Sequence, residues 1–406
     1  MFRHTADSAV TRQLFTTEEI AKAYRQSGNS YVKTARILTA LGRGTVYRQI
    51  ARNWVLSLDD TELPEEATLA QQSIKARNQQ ATASALRQEL KALHSHIEAN
   101  DMTLGAIEEA ATALAARTPL EVEEASPVDG TPCTVELLLS DLQIGKLGAQ
   151  YDTPTARARL FEYGRAARFQ INQKRIAGYN VERIVLAILG DIIESDKKHK
   201  NSARATDSGT ADQMRDAMEA IYELVIEPLA RFGVQMDVIC ITGNHDHDDH
   251  GLMMWKPGRE QLSWPLYHAL AGFAKYAGLS HVNFTIPEGA FATTDFYGQT
   301  ALYEHGVGVS VTETSMKAQK IKRAEQMQKH ITYFRMGDKH TVCTFNAGQY
   351  VVNGAFFGAT GSGIEYSEIA GYSSVPAQWI GFHVPRHDSR FTLYDNFTMQ
   401  FDQVRG

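Results

Sequence analysis

The chain has 406 residues, 43% hydrophobic and 22% charged, which is enough for one large α/β core with a smaller appendage. No apolar stretch approaches the ~20 residues of a bilayer crossing, Met1-Phe2-Arg3-His4-Thr5 lacks the apolar core of a signal peptide, and Cys133, Cys240 and Cys343 are too scattered for a disulfide framework or a thiolate zinc site. A membrane protein is thereby excluded and a cytoplasmic one expected. The net charge of −6 is uneven, because residues 1–54 hold nine Lys/Arg against three Asp/Glu, a local +6 that leaves −12 for the rest and makes this end the expected nucleic-acid contact.

Three short helices are predicted between Thr16 and Trp54, in a first domain over residues 1–60. Thr16 with Glu19 forms a capping box, Ile20, Ala23 and Tyr24 supply an apolar face, and Gly28-Asn29-Ser30 ends one helix and caps the next. The second helix runs to about Leu41, Gly42-Arg43-Gly44 is a break, and Thr45 opens the third. That helix is expected to turn Val46, Tyr47, Ile50 and Trp54 inward and Arg48, Gln49 and Arg52 outward.

The stretch Ala35 to Arg48 resembles the helix-turn-helix of Fis-like and phage terminase small-subunit domains. The resemblance makes Ala35 the small interhelical residue, Leu41 the buried turn residue and Val46 the inward residue of a recognition helix, with Ala40 where the family usually has glycine. It implies DNA binding, with Arg43, Arg48 and Arg52 near phosphates or base edges. The alternative is a small helical docking module whose arginines are solvated.

Residues 61–118 are rich in Ala, Gln, Glu and Leu. Leu86, Leu90, Leu93 and Ile97 follow a 4-3-4 spacing that fits either a coiled-coil stalk able to dimerise the chain or a single helix lying on the next domain. Residues 119–133 read as a flexible linker, on the strength of Glu121 to Pro132 with its four acidic residues, two prolines and a glycine.

From Thr134 to the end, strand runs alternate with amphipathic helices. The runs are Val135–Leu139, Ile184–Leu189, Val234–Thr242, Thr300–Tyr303 and Ile331–Met336, and the helices cover Thr155–Ile176, Ala211–Arg231 and Met316–His330. Cys240 reads as a buried strand residue. This is an α/β pattern, and later strands through Thr341 to Met399 are expected to form a second sheet packed on the first.

A polar station follows each run: Ser140-Asp141-Leu142-Gln143, Gly190-Asp191-Ile192-Ile193-Glu194, Gly243-Asn244-His245-Asp246, Glu304-His305-Gly306 and Gly337-Asp338-Lys339-His340. In α/β proteins ligands gather where strands end, and five stations in order are a far stronger signal than any one of them. They resemble the calcineurin-like metallophosphoesterase superfamily, with its D-x-H, G-D-x-x-D/E, G-N-H-D/E, H and G-H-x-H signature, over roughly residues 134–345. The resemblance implies an α/β/β/α two-sheet sandwich and a two-metal site. Asp141 and His340 would hold one ion, Asn244 and His305 the other, and Asp191 would bridge them. His245 would be general acid, with Asp246 holding its ring.

Gln143 replaces one family histidine and Asp338 another. The ligand set becomes rich in oxygen, which suits Mn2+ or Mg2+ better than Zn2+ or Fe. Basic residues Lys197, Lys198, His199, Lys200 and Arg204, and Lys317, Lys320, Lys322 and Arg323, either face the cleft and hold a polyanion or are solvated. His247, Asp248, Asp249 and His250 read as a solvated acidic loop, with an accessory ion site as the alternative. Val352 to Gly358, followed by Glu365-Tyr366, resembles a segment of phage phosphoesterases, which would place the protein in a bacterial host, and is expected to cap the cleft without supplying ligands. The expected function is a nuclease hydrolysing DNA. The alternatives are a phosphatase or cyclic-nucleotide phosphodiesterase, or a scaffold that kept the fold while Gln143 and Asp338 mark its decay.

Overall fold

The computed structural model describes residues 14–58, 129–148, 150–196, 205–246, 258–259, 261–358, 371, 375–386, 388 and 390–401, with scattered positions between 77 and 116. The expectations for Leu86, Leu90, Leu93 and Ile97, for the lysine-rich stretch 197–204, for residues 247–250 and for Glu365-Tyr366 lie outside them. The chain divides into two compact units, Met1–Glu98 and Ala99–Gly406.

In the first unit, helices α1 (Thr17–Gln26), α2 (Tyr31–Ala40) and α3 (Arg48–Leu56) enclose Phe15, Ile20, Tyr24, Leu38, Val46 and Trp54. The Thr16–Glu19 capping box forms in both directions, at 2.9 and 3.1 Å. Leu41, expected to be buried, is 48% exposed, and Tyr47, expected inward, is 63% exposed. For Tyr47 the reason is that α3 begins at Arg48 rather than at Thr45. Val46 therefore reaches the core from extended backbone, pinned by its N–H to Thr39 Oγ1 at 2.9 Å, and its neighbour Tyr47 alternates outward.

The second unit has two sheets. In the first, β1 (Thr131–Leu139), β2 (Tyr179–Ile188), β3 (Gln235–Cys240) and β4 (Val282–Thr285) run parallel, and β10 (Ala377–His383) and β11 (Leu393–Gln400) add antiparallel strands beyond β1. The second sheet has the order β5 (Phe291–Phe296), β6 (Gln299–Glu304), β7 (Tyr333–Met336), β9 (Tyr350–Val352), β8 (Cys343–Phe345). All five predicted runs are strands, but β10 and β11, expected in the second sheet, complete the first. The edge of β1 that β2 leaves unpaired needs hydrogen-bond partners, and β10 supplies them.

The alternation of side chains sorts the core. Val135, Leu137, Leu139, Ile184, Leu186 and Ile188 face α4 (Thr153–Ile176), α5 (Thr210–Ile221) and α7 (Ser263–Tyr276), while Leu138, Val185, Ala187, Leu189 and Ile239 face Tyr303, Tyr333 and Trp379 between the sheets. Strands covered on both faces read as continuous apolar runs, which is what the sequence shows. Leu302, Phe334 and Val352 pack the outer face of the second sheet with Met316 of α8 (Glu313–Met327), so the layers are α/β/β/α. A π-helical turn at Tyr222–Ile226 joins α5 to the short α6 (Glu227–Ala230), within the predicted helix Ala211–Arg231. Cys240 is buried, and the three cysteines are unbridged. No helix among the described residues is long and apolar enough to cross a membrane.

One ionic cluster lies between the sheets. Arg335 Nε donates to Glu136 Oε1 and Oε2 at 3.0 and 3.1 Å, His383 Nε2 lies 3.0 Å from Oε2, and Tyr303 donates to Oε1 at 2.7 Å. Glu136, Arg335 and His383 are all fully buried. Burial pushes the Glu136 carboxyl up, but Arg335 and His383 outweigh it and hold it at about 2.

Candidate metal centre

Parallel pairing puts the C-terminal ends of β1, β2 and β3 side by side, and the loops after them continue the ladder. Asp141 N donates to Gly190 O at 3.1 Å and Gln143 N to Asp191 O at 2.9 Å. The ends of β6 and β7, parallel neighbours in the second sheet, meet these loops: Gly337 N donates to His305 O at 2.9 Å and Asp338 N to Asp141 Oδ2 at 3.2 Å. Glycines permit the approach. A Cβ on Gly190 would stand 2.5 Å from Gly243 N, and one on Gly243 2.1 Å from Asp191 Oδ1.

Asp141, Gln143, Asp191, Asp338 and His340 all have left-handed φ, from 42° to 65°. Non-glycine residues adopt this region at a cost, and such strain collects at functional sites. Gln143 and Asp338, expected from sequence to be ligands, share this geometry with Asp141, Asp191 and His340.

His305 Nε2 lies 2.9 Å from Asn244 Oδ1, 3.2 Å from Asp191 Oδ2 and 3.7 Å from Asp338 Oδ1, and its Nδ1 is 2.6 Å from Leu189 O. With Nδ1 donating to that carbonyl, Nε2 is turned toward the carboxylates, an arrangement that orients metal-ligating histidines. His340 Nε2 stands 3.4 Å from Asp141 Oδ1, with Phe357 edge-on to its ring at 4.8 Å. Asp141, Asp191 and His305 can each present one ligand atom within 4.8 Å of the others, and all three are buried. The structure thus brings together Asp141, Asp191, Asn244, His305, Asp338 and His340, with the backbone of Gln143 beside Asp191.

The donor set fits divalent cations. Gln143 is fully buried, yet neither its amide oxygen nor its amide nitrogen has a hydrogen-bond partner among the described residues, and Asp141 Oδ1 accepts no hydrogen bond. An unmet buried amide is costly unless something outside the protein meets it. Burial alone would lower the His305 imidazole, but Asp191, Asp338 and Asp141 raise it to about 10. The carboxylates of Asp191, Asp338 and Asp141 thus crowd around the His305 ring.

Asp246 does not hold the ring of His245 as expected. Its carboxylate is fully buried and accepts from Gly243 N (2.7 Å), Ser263 Oγ (2.9 Å), Ile192 N (3.0 Å) and Asp191 N (3.2 Å), tying the second station to the third. Burial, with the Asp191 carboxylate close by, pushes its pKa up. The carboxylate beside the ring is that of Glu194, whose Oε2 is 3.1 Å from His245 Nδ1, while His245 Nε2 is 3.9 Å from Asp191 Oδ2. Glu194 stands in the last position of the G-D-x-x-D/E motif, and that signal could have identified it. Ser140, Asn353 and Gln378 form a buried side-chain network, including Asn353 Nδ2 to Ser140 Oγ at 2.9 Å and Gln378 Oε1 accepting from Ser140 N at 3.0 Å, that fixes the backbone just before Asp141. No spacing in the sequence marks it.

The basic cluster on α8 is partly committed elsewhere. Arg323 Nε donates to Glu304 at 2.8 Å and Lys320 Nζ lies 4.9 Å over the Tyr350 ring, whereas Lys317 and Lys322 are exposed. In the N-terminal unit, Arg43 Nη1 is bound to Glu19 at 2.9 Å and to Leu14 O at 3.2 Å, Arg48 is exposed, and Arg52 is half-buried.

No protein-family profile and no curated protein match the chain. Among solved structures it is similar to a Vps29 complexed with Zn2+ from Entamoeba histolytica, at 10% identity and TM-score 0.27 over 66% of this chain and 99% of that one. It is also similar to a predicted phosphoesterase from Streptococcus pneumoniae, at 9% identity and TM-score 0.24 over 66% and 98%. Phosphopantetheinyl hydrolase from Mycobacterium tuberculosis aligns at 18% identity and TM-score 0.20 over 50% and 54%. At such scores the likenesses do not extend to activity.

Proposed function

We propose that the chain is a metal-dependent phosphodiesterase that hydrolyses DNA, with the basic N-terminal unit delivering it to its substrate. The observation that carries the reading is the convergence of five loops, several strained into left-handed backbone, on buried carboxylates and imidazoles beside an unmet Gln143 amide. Asp141, Gln143, Asp191, Asn244, His305, Asp338 and His340 would hold the cations, and the abundance of oxygen donors favours Mn2+, then Mg2+. Bound there, they would neutralise phosphoryl charge and supply a water activated near neutral pH.

The protein's own residues do the rest. His245 delivers a proton to the departing oxygen, and Glu194, whose Oε2 is 3.1 Å from its Nδ1, is the carboxylate placed to orient the ring. Asp246 keeps the second and third loops in register without touching the reaction. In the N-terminal unit Arg48 and Arg52 are the residues best placed for phosphate contacts, since Arg43 is occupied by Glu19. The test is incubation with Mn2+ and labelled single- and double-stranded DNA beside bis-p-nitrophenyl and p-nitrophenyl phosphate. Cleavage of DNA and of the diester is expected, with both lost in His245→Ala; hydrolysis of the small esters with intact DNA defeats the nuclease reading.

A further inference from the structure

Lys339 is the one side chain of the fifth station to which neither the signature nor the reading above gives a part. Its Nζ is 2.5 Å from Asp338 Oδ2, and its side chain is 12% exposed. A lysine on an open loop is normally solvated, because its ammonium is strongly hydrated and its stem has much rotamer freedom to lose. Here Asp338 and His340, on either side, both hold left-handed backbone at φ 65° and 55°. The turn sets the ammonium against a carboxylate whose other oxygen lies 3.7 Å from His305 Nε2. Asp338 thus has two tasks: one oxygen faces the imidazole shared by Asp191 and Asn244, and the other fixes a cation.

We propose that Lys339 is a phosphoryl-binding residue that determines specificity for the anion, a role that rests on the phosphoesterase reading. An ammonium has three protons, and the bond to Asp338 uses one of them. The other two are available to a phosphoryl oxygen held against the cluster. The placement also explains why a carboxylate can stand where the signature has histidine. The extra negative charge of Asp338 would repel an anionic substrate, and the adjacent ammonium cancels it, so the site keeps a hard oxygen ligand without losing attraction for phosphate. Lysine serves as a compact point charge at this position, and arginine would preserve the charge with a different reach.

The test is calorimetric titration of the full-length protein, first with Mn2+ alone and then, once loaded, with inorganic phosphate, comparing wild type, Lys339→Met and Lys339→Arg. A charge-assisted hydrogen bond of this kind is worth about a ten- to hundredfold change in affinity. In Lys339→Met, phosphate should bind weaker by that factor while Mn2+ binds as tightly as in wild type or tighter; Lys339→Arg should recover most of the loss. Phosphate affinity within about twofold of wild type in the Mn2+-loaded Lys339→Met protein overturns the proposal. So does a fall in Mn2+ affinity as large as the fall for phosphate, since the lysine would then only be positioning Asp338. A wild-type protein that takes up no Mn2+ defeats the phosphoesterase reading itself, and this proposal with it. Should Lys339→Met fail to fold, Lys339→Gln against Lys339→Arg makes the same comparison.

Discussion

Two buried clusters of charge occupy the second unit, and they are built on opposite terms. Between the sheets, Glu136 meets Arg335 through three contacts, with His383 and Tyr303 on its remaining lone pairs. At the strand ends, Asp141, Asp191 and Asp338 gather around His305 and His340. The first cluster is internally complete and sits on regular strands; the second leaves the Gln143 amide unmet among the described residues and sits on left-handed loops. A buried charge that serves the fold is closed by partners in the chain. One that remains open, on strained backbone, is arranged for a ligand.

The comparison can be broken most forcefully at its open end. Asp191→Asn keeps an acceptor for His245 N but removes the charge nearest His305. Losing several kcal/mol of charge stabilisation predicts about a thousandfold or greater fall in Mn2+-dependent diester hydrolysis, with the thermal midpoint held or raised. At the closed end the signs reverse. Arg335→Ala should cost about 3–5 kcal/mol in urea unfolding, because it strands Glu136, without moving hydrolysis per folded molecule. The same variant carries a pH signature. The Glu136 carboxyl is lowered from its usual 4.5 to about 2, so its stabilisation is full above about pH 4.5 and is lost as pH falls through about 2. Removing Arg335 should flatten that acid limb of urea midpoint against pH.

Glu194→Gln sharpens the assignment of the His245 partner. It should lower the rate of hydrolysis about 10- to 100-fold with Mn2+ binding little changed, whereas Asp246→Asn should chiefly lower stability. The smallest effect belongs to the other unit. Arg48→Ala and Arg52→Ala should each weaken DNA binding and reduce the slope of log affinity against log salt by about 1, leaving ester hydrolysis alone.

What could be read from the chain follows the range of the interactions involved. Strand runs and their terminal stations were legible because alternation and burial on both faces write themselves into a few consecutive residues, as in Val135–Leu139 and its follower Asp141. The capping box at Thr16–Glu19 was legible for the same reason. Sheet membership of β10 and β11 was not, since it depends on which edge of β1 is left open more than 230 residues earlier in the chain. Nor was the role of Asp246. Adjacency in sequence suggested that it holds His245, but a fully buried carboxylate is drawn to the nearest cluster of backbone N–H donors, and these belong to its own loop and to the Asp191 loop. Tyr47 failed similarly, because a helix starting three residues late turns its approach into extended chain.

The open cluster is tested most directly by titrating the full-length protein with Mn2+ in a calorimeter, wild type against Asp141→Asn. About two ions per wild-type chain are expected, with at least one lost or bound far more weakly in the variant. No saturable binding by the wild type, or identical isotherms for the two proteins, would contradict the account.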